Sequence, residues 1–565
     1  MGRTIGIGIQ DFADIRRENL FYIDKTLFVK EWWDNRDSVT LITRPRRFGK
    51  TLTMSMVEQF FSVKYAGQAD LFDGLAIWQE ERYRSLQGTY PVISLSFANV
   101  KEKNYQNARE KICLLLVNLY GEHSYLLDSD VLTEKEREFF LSVSEDMTDV
   151  KATMAIYQLS GYLSRYYGKK VIILLDEYDT PMQEAYINGF WEELAGFTRS
   201  LFNSTFKTNS YLERAIMTGI TRVSKESIFS DLNNLVVVTT TSDLYAEYFG
   251  FTEREVFDAL EEFGLSDQKQ KVKEWYDGFI FGHLKDVYNP WSILNYLRTE
   301  KFFTYWANTS SNSLAGKLIQ EGSRSIKQSF ETLMRGETLT RQIDEQIVYN
   351  QLDQDEASIW SLLLASGYLR VKNYRMINSD FGNWTEEYEL ELTNFEVKVM
   401  FRNMIRGWFG ASSSDYNDFV KALLLDDIDA MNEYMNRVAL STFSYFDTGK
   451  RPSGQTEPER FYHGFVLGLM VELEDQYRIT SNRESGFGRY DIMLEPKKCG
   501  LDGIIMEFKV RNARREDSLE ETAAVALEQI EKQQYVADMI QRGVPEDKIR
   551  KYGFAFEGKQ VLIEK

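Results

Sequence analysis

The chain has 565 residues, 43% hydrophobic and 14% aromatic, with a formal net charge of -19. That length predicts several domains with real cores, and that charge argues against a general nucleic-acid coat, which needs a basic field; a local basic groove stays open. Only 8 prolines and no low-complexity tract argue against long disordered segments, 2 distant cysteines (Cys113, Cys499) give neither a disulfide framework nor a CxxC knuckle, and 3 histidines are too few for a His-rich metal site.

Taken in order, the first 38 residues carry short mixed segments, with a turn near Tyr22 leading into a helix through Trp32 and Trp33. Nothing there has a cationic start followed by an apolar core, and no apolar run approaches the ~20 residues of a membrane span, so a cytoplasmic protein without a membrane partner is expected. Val39 to Ile42 form a β-type run that enters a turn ending Gly49-Lys50-Thr51. A helix follows, with Leu52, Met56, Val57 and Phe60 on one face. Strand, loop and helix in this order are the setting of a phosphate-binding loop, whose amides and helix N-terminus point at an anion. On that reading Phe48 and Gly49 supply amides, Lys50 reaches the outer phosphates and Thr51 holds magnesium. The full pattern wants a glycine five positions before Gly49, and Arg44 stands there. Arg46 and Arg47 lie inside the loop, where they would neutralise phosphates, contact a neighbouring subunit of a homo-oligomer, or be solvated.

Tyr90–Phe97 predicts a second strand, and 104–120 and 150–167 predict helices. Val171 to Leu175 are consecutively apolar, as in a parallel strand buried on both faces, and lead into Asp176-Glu177. This has the shape of a Walker B strand: Asp176 would sit near the magnesium of Thr51, and Glu177 would polarise an attacking water. Arg214–Arg222 reads as a short strand whose Thr218 or Thr221 would sense a terminal phosphate, with Arg222 as a candidate charge stabiliser. Leu235–Thr241 reads as a further strand. The expected class is α/β, with a mostly parallel sheet over residues 1–250.

Residues 251–340 read as a small, acidic, aromatic-rich helical lid, and 341–450 as a helical connector. Gly449–Pro458 is the clearest linker. Residues 451–565 predict a separate α/β domain. It has a helix from Glu459 to about Gln476, strands at Tyr477–Asn482, Tyr490–Leu494 and Gly503–Val510, a long helix over Ser518–Arg542, and strands at Tyr552–Phe556 and Gln560–Ile563.

A second constellation lies in this last stretch. Glu507 and Lys509 share one strand face, and a hairpin would bring Asp491 beside them. Two carboxylates suit magnesium, and such a set with a lysine suits phosphodiester hydrolysis. The spacing alone is permissive and also describes a charged solvent face. The apolar run Ile504-Ile505-Met506 before Glu507 favours a buried strand end. Glu459 is a candidate third carboxylate. Gln529 and Tyr535 would line the site or be surface polarity and core. Arg511, Arg514 and Arg515 would contact a phosphate backbone or be solvated.

Phe21-Tyr-Ile-Asp-Lys-Thr, Arg44-Pro-Arg-Arg-Phe-Gly-Lys-Thr, Leu174-Leu-Asp-Glu-Tyr-Asp-Thr-Pro, Tyr288-Asn-Pro-Trp-Ser and the terminal Gly-Arg-Tyr-Asp and Glu-Phe-Lys resemble one family. It is the bacterial AAA-ATPase-like proteins with a C-terminal PD-(D/E)XK nuclease-superfamily domain. The resemblance spans essentially the whole chain. It implies an ATP-binding P-loop domain of AAA or STAND type, with Lys50, Thr51, Asp176 and Glu177 in the nucleotide site and magnesium as its metal. It also implies that Asp491, Glu507 and Lys509 are a nuclease triad acting on DNA. In that family Arg-Pro-Arg-Arg-Phe-Gly-Lys is the usual loop, so Arg44 is a family habit. Tyr490 stands at the proline of the name-giving motif, a position that often varies. The expectation is an ATPase that controls a nuclease-like domain; the rival is a signalling or scaffold ATPase whose C-terminal domain only binds.

Overall fold

The computed structural model describes residues 3–223, 232–307, 322–344, 356–378, 384–408, 413–446, 457–481 and 491–565 apart from 499, 514, 533, 534 and 559, with a few isolated positions between these spans. Side chains at several element ends, including 457–463, lie outside the description. The chain divides into two compact units, Met1–Ser311 with Thr338–Val397, and Asn312–Glu337 with Lys398–Lys565.

The first unit is built on a five-stranded parallel sheet. Its strands lie in the order Val92–Ser96, Val171–Asp176, Leu212–Gly219, Val39–Thr43, Leu235–Val238. Every residue of Val39–Thr43 and of Val171–Asp176 is buried, which explains their near-continuous apolar character. The loop strand and the Asp176 strand are not neighbours: Leu212–Gly219 runs between them. Helices Lys50–Phe61 and Leu27–Asn35 pack an aromatic core that includes Phe28, Trp32, Phe60, Phe61, Phe72 and Tyr245.

Strands also occur where the sequence read as helical. Phe251–Thr252, Leu284–Tyr288 and Asp277–Phe281 form a small antiparallel sheet among helices Glu253–Glu262, Lys269–Tyr276 and Pro290–Thr299. Its hairpin turns at Gly282 (φ 56°), where a Cβ would stand 2.1 Å from Asp243 Oδ1. Leu339–Arg341, Leu369–Asn378 and Trp384–Leu392 form a second antiparallel sheet. The signal for it is in the sequence: Tyr388, Leu390 and Leu392 alternate with glutamates at period two.

In the second unit five strands lie in the order Tyr477–Ser481, Ile492–Pro496, Gly503–Val510, Ile549–Glu557, Gln560–Glu564. Only Gly503–Val510 with Ile549–Glu557 is parallel. The stretch read as one long helix forms Leu519–Lys532 and Tyr535–Gln541. The first of these lies so close to the sheet that a Cβ on Gly553 would stand 2.5 Å from the Ala523 carbonyl. Tyr535 is fully buried with Met493, Ile505, Ile530 and Met539, so it is core and not site lining.

The edge strand Gln560–Glu564 is covered from helix Ile428–Phe446. Asn432 donates to the Ile563 carbonyl (2.9 Å) and accepts from the Ile563 amide (2.8 Å). Asn436, one turn on, does the same at Val561 (2.7 and 2.9 Å). Two side-chain amides thus imitate a neighbouring strand, which blunts an edge that would otherwise pair with another chain. Replacing both residues with alanine is expected to speed amide exchange at Val561 and Ile563 by roughly tenfold or more, since each lost pair of bonds contributes ~1 kcal/mol or more. Unchanged exchange, read by hydrogen–deuterium mass spectrometry, would refute this role.

Candidate functional site

The nucleotide-type loop folds through two left-handed residues, Arg47 (φ 64°) and Gly49 (φ 81°), with Phe48 buried between them. Phe48 anchors the loop against Phe279 and Phe281, with ring centroids 4.7 and 5.3 Å away. Gly49 then caps helix Lys50–Phe61. Thr51 Oγ1 donates to Asp176 Oδ2 at 2.7 Å, so the first helical turn and the end of the buried strand meet across the intervening strand. Thr218, on that intervening strand, donates its hydroxyl to Asp176 Oδ1. Burial pushes the Asp176 carboxyl above its usual range, opposed by these hydroxyls and by Lys50.

Lys50 is buried and donates to the carbonyls of Arg44 (2.8 Å) and Pro45 (2.9 Å). Desolvation holds its pKa below the usual lysine value, against the pull of Glu177, Asp176 and Asp179. Glu177 turns the chain at φ 52° and accepts from Thr180 Oγ1 (3.1 Å). Thr221 is committed elsewhere: its amide and hydroxyl both donate to the buried Asp179 carboxylate. Arg222 begins a two-residue strand paired with Gln346–Ile347 and is not among the residues described as lining the adjoining cavity. The sequence-derived set therefore converges for Arg46 to Thr51, Asp176, Glu177 and Thr218, and not for Arg222.

The cavity has a volume of about 640 Å³. Its walls combine the loop, Glu177 and Thr180 with apolar residues that include Ile9, Leu20, Ile23, Tyr248 and Leu294. Charged and apolar walls in one cavity suit a phosphorylated ligand with a flat, apolar-faced group. The N-terminal segment and Phe251 belong to these walls, a role that sequence reasoning missed. The signal available was the Phe21-Tyr-Ile-Asp-Lys-Thr and Tyr288-Asn-Pro-Trp-Ser motifs, which local chemistry left without a task.

The structure explains Arg44. It is fully buried, with its guanidinium 4.5 Å from the Phe281 ring centroid, and it donates to the carbonyls of Thr43 (3.0 Å) and Thr239 (2.5 Å). It fastens the loop to the segment after the Leu235–Val238 strand instead of facing phosphates. A second fastening comes from Asn289 of the Tyr288-Asn-Pro-Trp-Ser motif and from Trp306 further along the chain: Asn289 Nδ2 and Trp306 Nε1 both donate to the Arg46 carbonyl (3.2 and 3.0 Å). The Trp306 amide in turn donates to buried Glu396 Oε1 (2.6 Å), whose other oxygen accepts from Ser292 Oγ (2.8 Å).

In the C-terminal unit, strands Ile492–Pro496 and Gly503–Val510 pair with Ile492 opposite Met506. Asp491 directly precedes the first of these strands, and Glu507 directly follows Met506 on the second. Asp491 Oδ2 accepts the Phe508 amide at 2.8 Å. Glu507 is 3% exposed, and Gln529 bridges the set: its amide nitrogen donates to Glu507 Oε1, and its oxygen accepts from Lys509 Nζ at 2.6 Å. Asp491 and Glu507 offer the hard oxygen donors that magnesium takes. The Glu459 side chain and Tyr490 lie outside the described residues, as does Arg514. Arg511 is bound to Glu557 through Nη1 (2.6 and 2.7 Å) and to the Asp517 carbonyl through Nη2 (2.8 Å). The acidic group that does form a cluster of three among the described residues, Glu253, Asp277 and Asp286, surrounds the Lys273 ammonium.

Two outcomes follow from the loop's fastenings. Arg44→Gly, which restores the usual glycine, is expected to destabilise the first unit by about 3 kcal/mol through the lost packing and the orphaned carbonyls. It is not expected to improve nucleotide affinity; denaturant titration and ligand binding check the two halves. Burial pushes the Glu396 carboxyl from 4.5 up to about 7. The folded state then holds a proton that the unfolded state releases, so this contribution is complete below about pH 4.5 and is lost as pH rises through about 7. Glu396→Gln should therefore gain thermal stability relative to wild type at pH 8 and not at pH 4.

Comparison with known proteins agrees with this division. Residues 6–229 match the model of the predicted AAA-ATPase family, and residues 457–565 match that of the PD-(D/E)XK nuclease superfamily. A relative from Azotobacter chroococcum mcd 1, described as an uncharacterized protein in the vnfD 5' region, is 26% identical over 405 residues, covering 70% of this chain and 69% of its own. By these matches the N-terminal part of the chain is similar to the predicted AAA-ATPases and its C-terminal part to the PD-(D/E)XK nuclease superfamily.

Proposed function

We propose that this protein binds and hydrolyses ATP and that its nucleotide state governs a magnesium-dependent nuclease domain acting on DNA. The observation that carries the nucleotide half is the Thr51–Asp176 hydrogen bond, with Thr51 and Glu177 both lining the cavity. Thr51 and Asp176 are the oxygen donors that would hold magnesium there, and the ion would neutralise phosphate charge. Lys50 exchanges its two loop carbonyls for phosphate oxygens when nucleotide enters, and Glu177 receives the proton of the attacking water. Residues 1–250 would form this ATPase domain, 251–340 its lid and 341–450 the connector.

For residues 451–565 the support is the Asp491 carboxylate bonded to the Phe508 amide next to Glu507, and the Gln529 bridge from Glu507 to Lys509. Asp491 and Glu507 would hold the metal, with Glu459 as a further carboxylate, and the metal would activate water and stabilise the leaving phosphate. Lys509, oriented by Gln529, would polarise that water. A role in DNA processing or in defence against mobile DNA fits this pairing of domains. One observation favours a second reading, in which the C-terminal domain binds without cutting: Arg511, beside the site, is committed to Glu557 instead of facing a phosphate backbone.

The readings separate in one experiment. Purified protein with magnesium and ATP is expected to cleave DNA, Glu507→Ala to lose cleavage by about 10²-fold or more while keeping ATP turnover, and Lys50→Ala to lose turnover. Equal behaviour of wild type and Glu507→Ala on DNA would leave the binding-module reading standing.

A further inference from the structure

We infer that Arg46 is the charge stabiliser of ATP hydrolysis and acts on the terminal phosphate from within its own chain. The inference rests on the ATPase reading above and adds a residue to it.

The loop separates its two arginines. The left-handed turn at Arg47 sends successive side chains apart. Arg47 stacks on Trp291, its guanidinium carbon 4.1 Å from the ring centroid, on the helix Pro290–Thr299. Arg46 goes the other way and donates from Nη2 to Gln183 Oε1 at 3.1 Å. Gln183 lies on helix Thr180–Asn188, which starts directly after the Asp176-Glu177 corner. That contact holds the Arg46 guanidinium on the Glu177 side of the cavity, where the outer phosphate meets the attacking water. Both residues line the cavity.

Charge makes the same point. Neither Arg46 nor Arg47 forms an ion pair among the described residues, in a chain with a net charge of -19. Arg46 is also close enough to Lys50 to disfavour its charged form. Glu177, Asp176 and Asp179 support the charge on Lys50, whereas Arg46 has only the neutral Gln183 amide oxygen, so an outer phosphate reaches the guanidinium with no carboxylate to displace. The backbone is already fixed, because Asn289 and Trp306 hold the Arg46 carbonyl. Only the side chain has to swing, and its neutral amide partner is cheap to leave.

The chemistry asks for a charge at this place. The water oxygen bonds to the γ-phosphorus as the bond from phosphorus to the β–γ bridging oxygen breaks. That oxygen leaves with the electron pair on ADP, and the water proton passes to Glu177. Negative charge grows on the bridging oxygen and spreads over the outgoing phosphate; of the two candidate arginines Arg46 lines the cavity and Arg222 does not.

The test compares wild type, Arg46→Ala and Arg46→Lys at several protein concentrations. Arg46→Ala is expected to lower kcat by about 10²-fold, to leave the ATP Kd within about threefold, and to lose tight binding of ADP with aluminium fluoride. Arg46→Lys should recover part of the rate, and wild-type turnover per chain should not change on dilution. Retained ATP binding shows that the variants are folded. Loss of ATP affinity equal to the loss of rate would overturn the inference and make Arg46 a ground-state phosphate ligand. Turnover that falls on dilution would overturn it in favour of a charge supplied by a second copy. A wild-type rate in Arg46→Ala would overturn it and leave the ATPase reading intact, whereas wild-type protein that binds ATP without hydrolysing it would overturn both.

Discussion

A carboxylate at the end of a fully buried strand has to find hydrogen-bond donors, because leaving it unpaired in low dielectric costs several kcal/mol. Asp176 meets that demand with two hydroxyls from different elements, Thr51 on the loop helix and Thr218 on the adjacent strand. The solution fixes three elements at once. It sets the height of helix Lys50–Phe61 against the sheet, the register of the intervening strand, and the corner from which Glu177 emerges. Neighbouring bonds tighten the same corner: the Tyr178 amide donates to the Thr218 carbonyl, and Asp179 receives Ile220 and Thr221. The site's geometry is thus the by-product of satisfying buried acids.

The loop shows how a departure from a familiar pattern is absorbed. A glycine at position 44 would add freedom and no contacts. Arg44 instead fills a buried space beside Phe281 and bonds carbonyls from two segments, so the loop is held from below. Trp306 and Asn289 hold it from the other side through one carbonyl, and Glu396 fixes Trp306 in turn. A loop fastened at both ends needs little entropy loss on binding an anion, which is how preorganisation favours affinity.

The C-terminal unit uses the same economy of polar groups. Gln529 touches both Glu507 and Lys509, so an acid and a base that share a strand face are spaced by an amide instead of collapsing into a salt bridge. That arrangement holds the Lys509 ammonium on the Gln529 oxygen. At the edge of the sheet, Asn432 and Asn436 close the last strand with amide pairs, and helix Ile428–Phe446 is part of this unit; the linker read at Gly449–Pro458 lies outside the described residues up to 456.

Sequence by itself determined the parts governed by local pattern. The buried runs Val39–Ile42 and Val171–Leu175, the Gly49-Lys50-Thr51 turn and the Asp176-Glu177 end declare themselves because period, burial and turn chemistry act over a few residues. The same holds for the shared face of Glu507 and Lys509, which follows from strand alternation. The short strands inside 251–340 were less legible, since their acidic and aromatic residues suit either period until a partner strand is known, whereas Tyr388-Glu-Leu390-Glu-Leu392 carried a period-two signal that the helical reading of 341–450 passed over. Only the tertiary structure decided what the long-range contacts fix. Arg44 became a buried fastener, Arg222 was left off the cavity, Tyr535 became core and Gln529 became a bridge. Each of these outcomes depends on which side chain meets which carbonyl or ring across tens to hundreds of residues. Composition and spacing carry no record of those meetings.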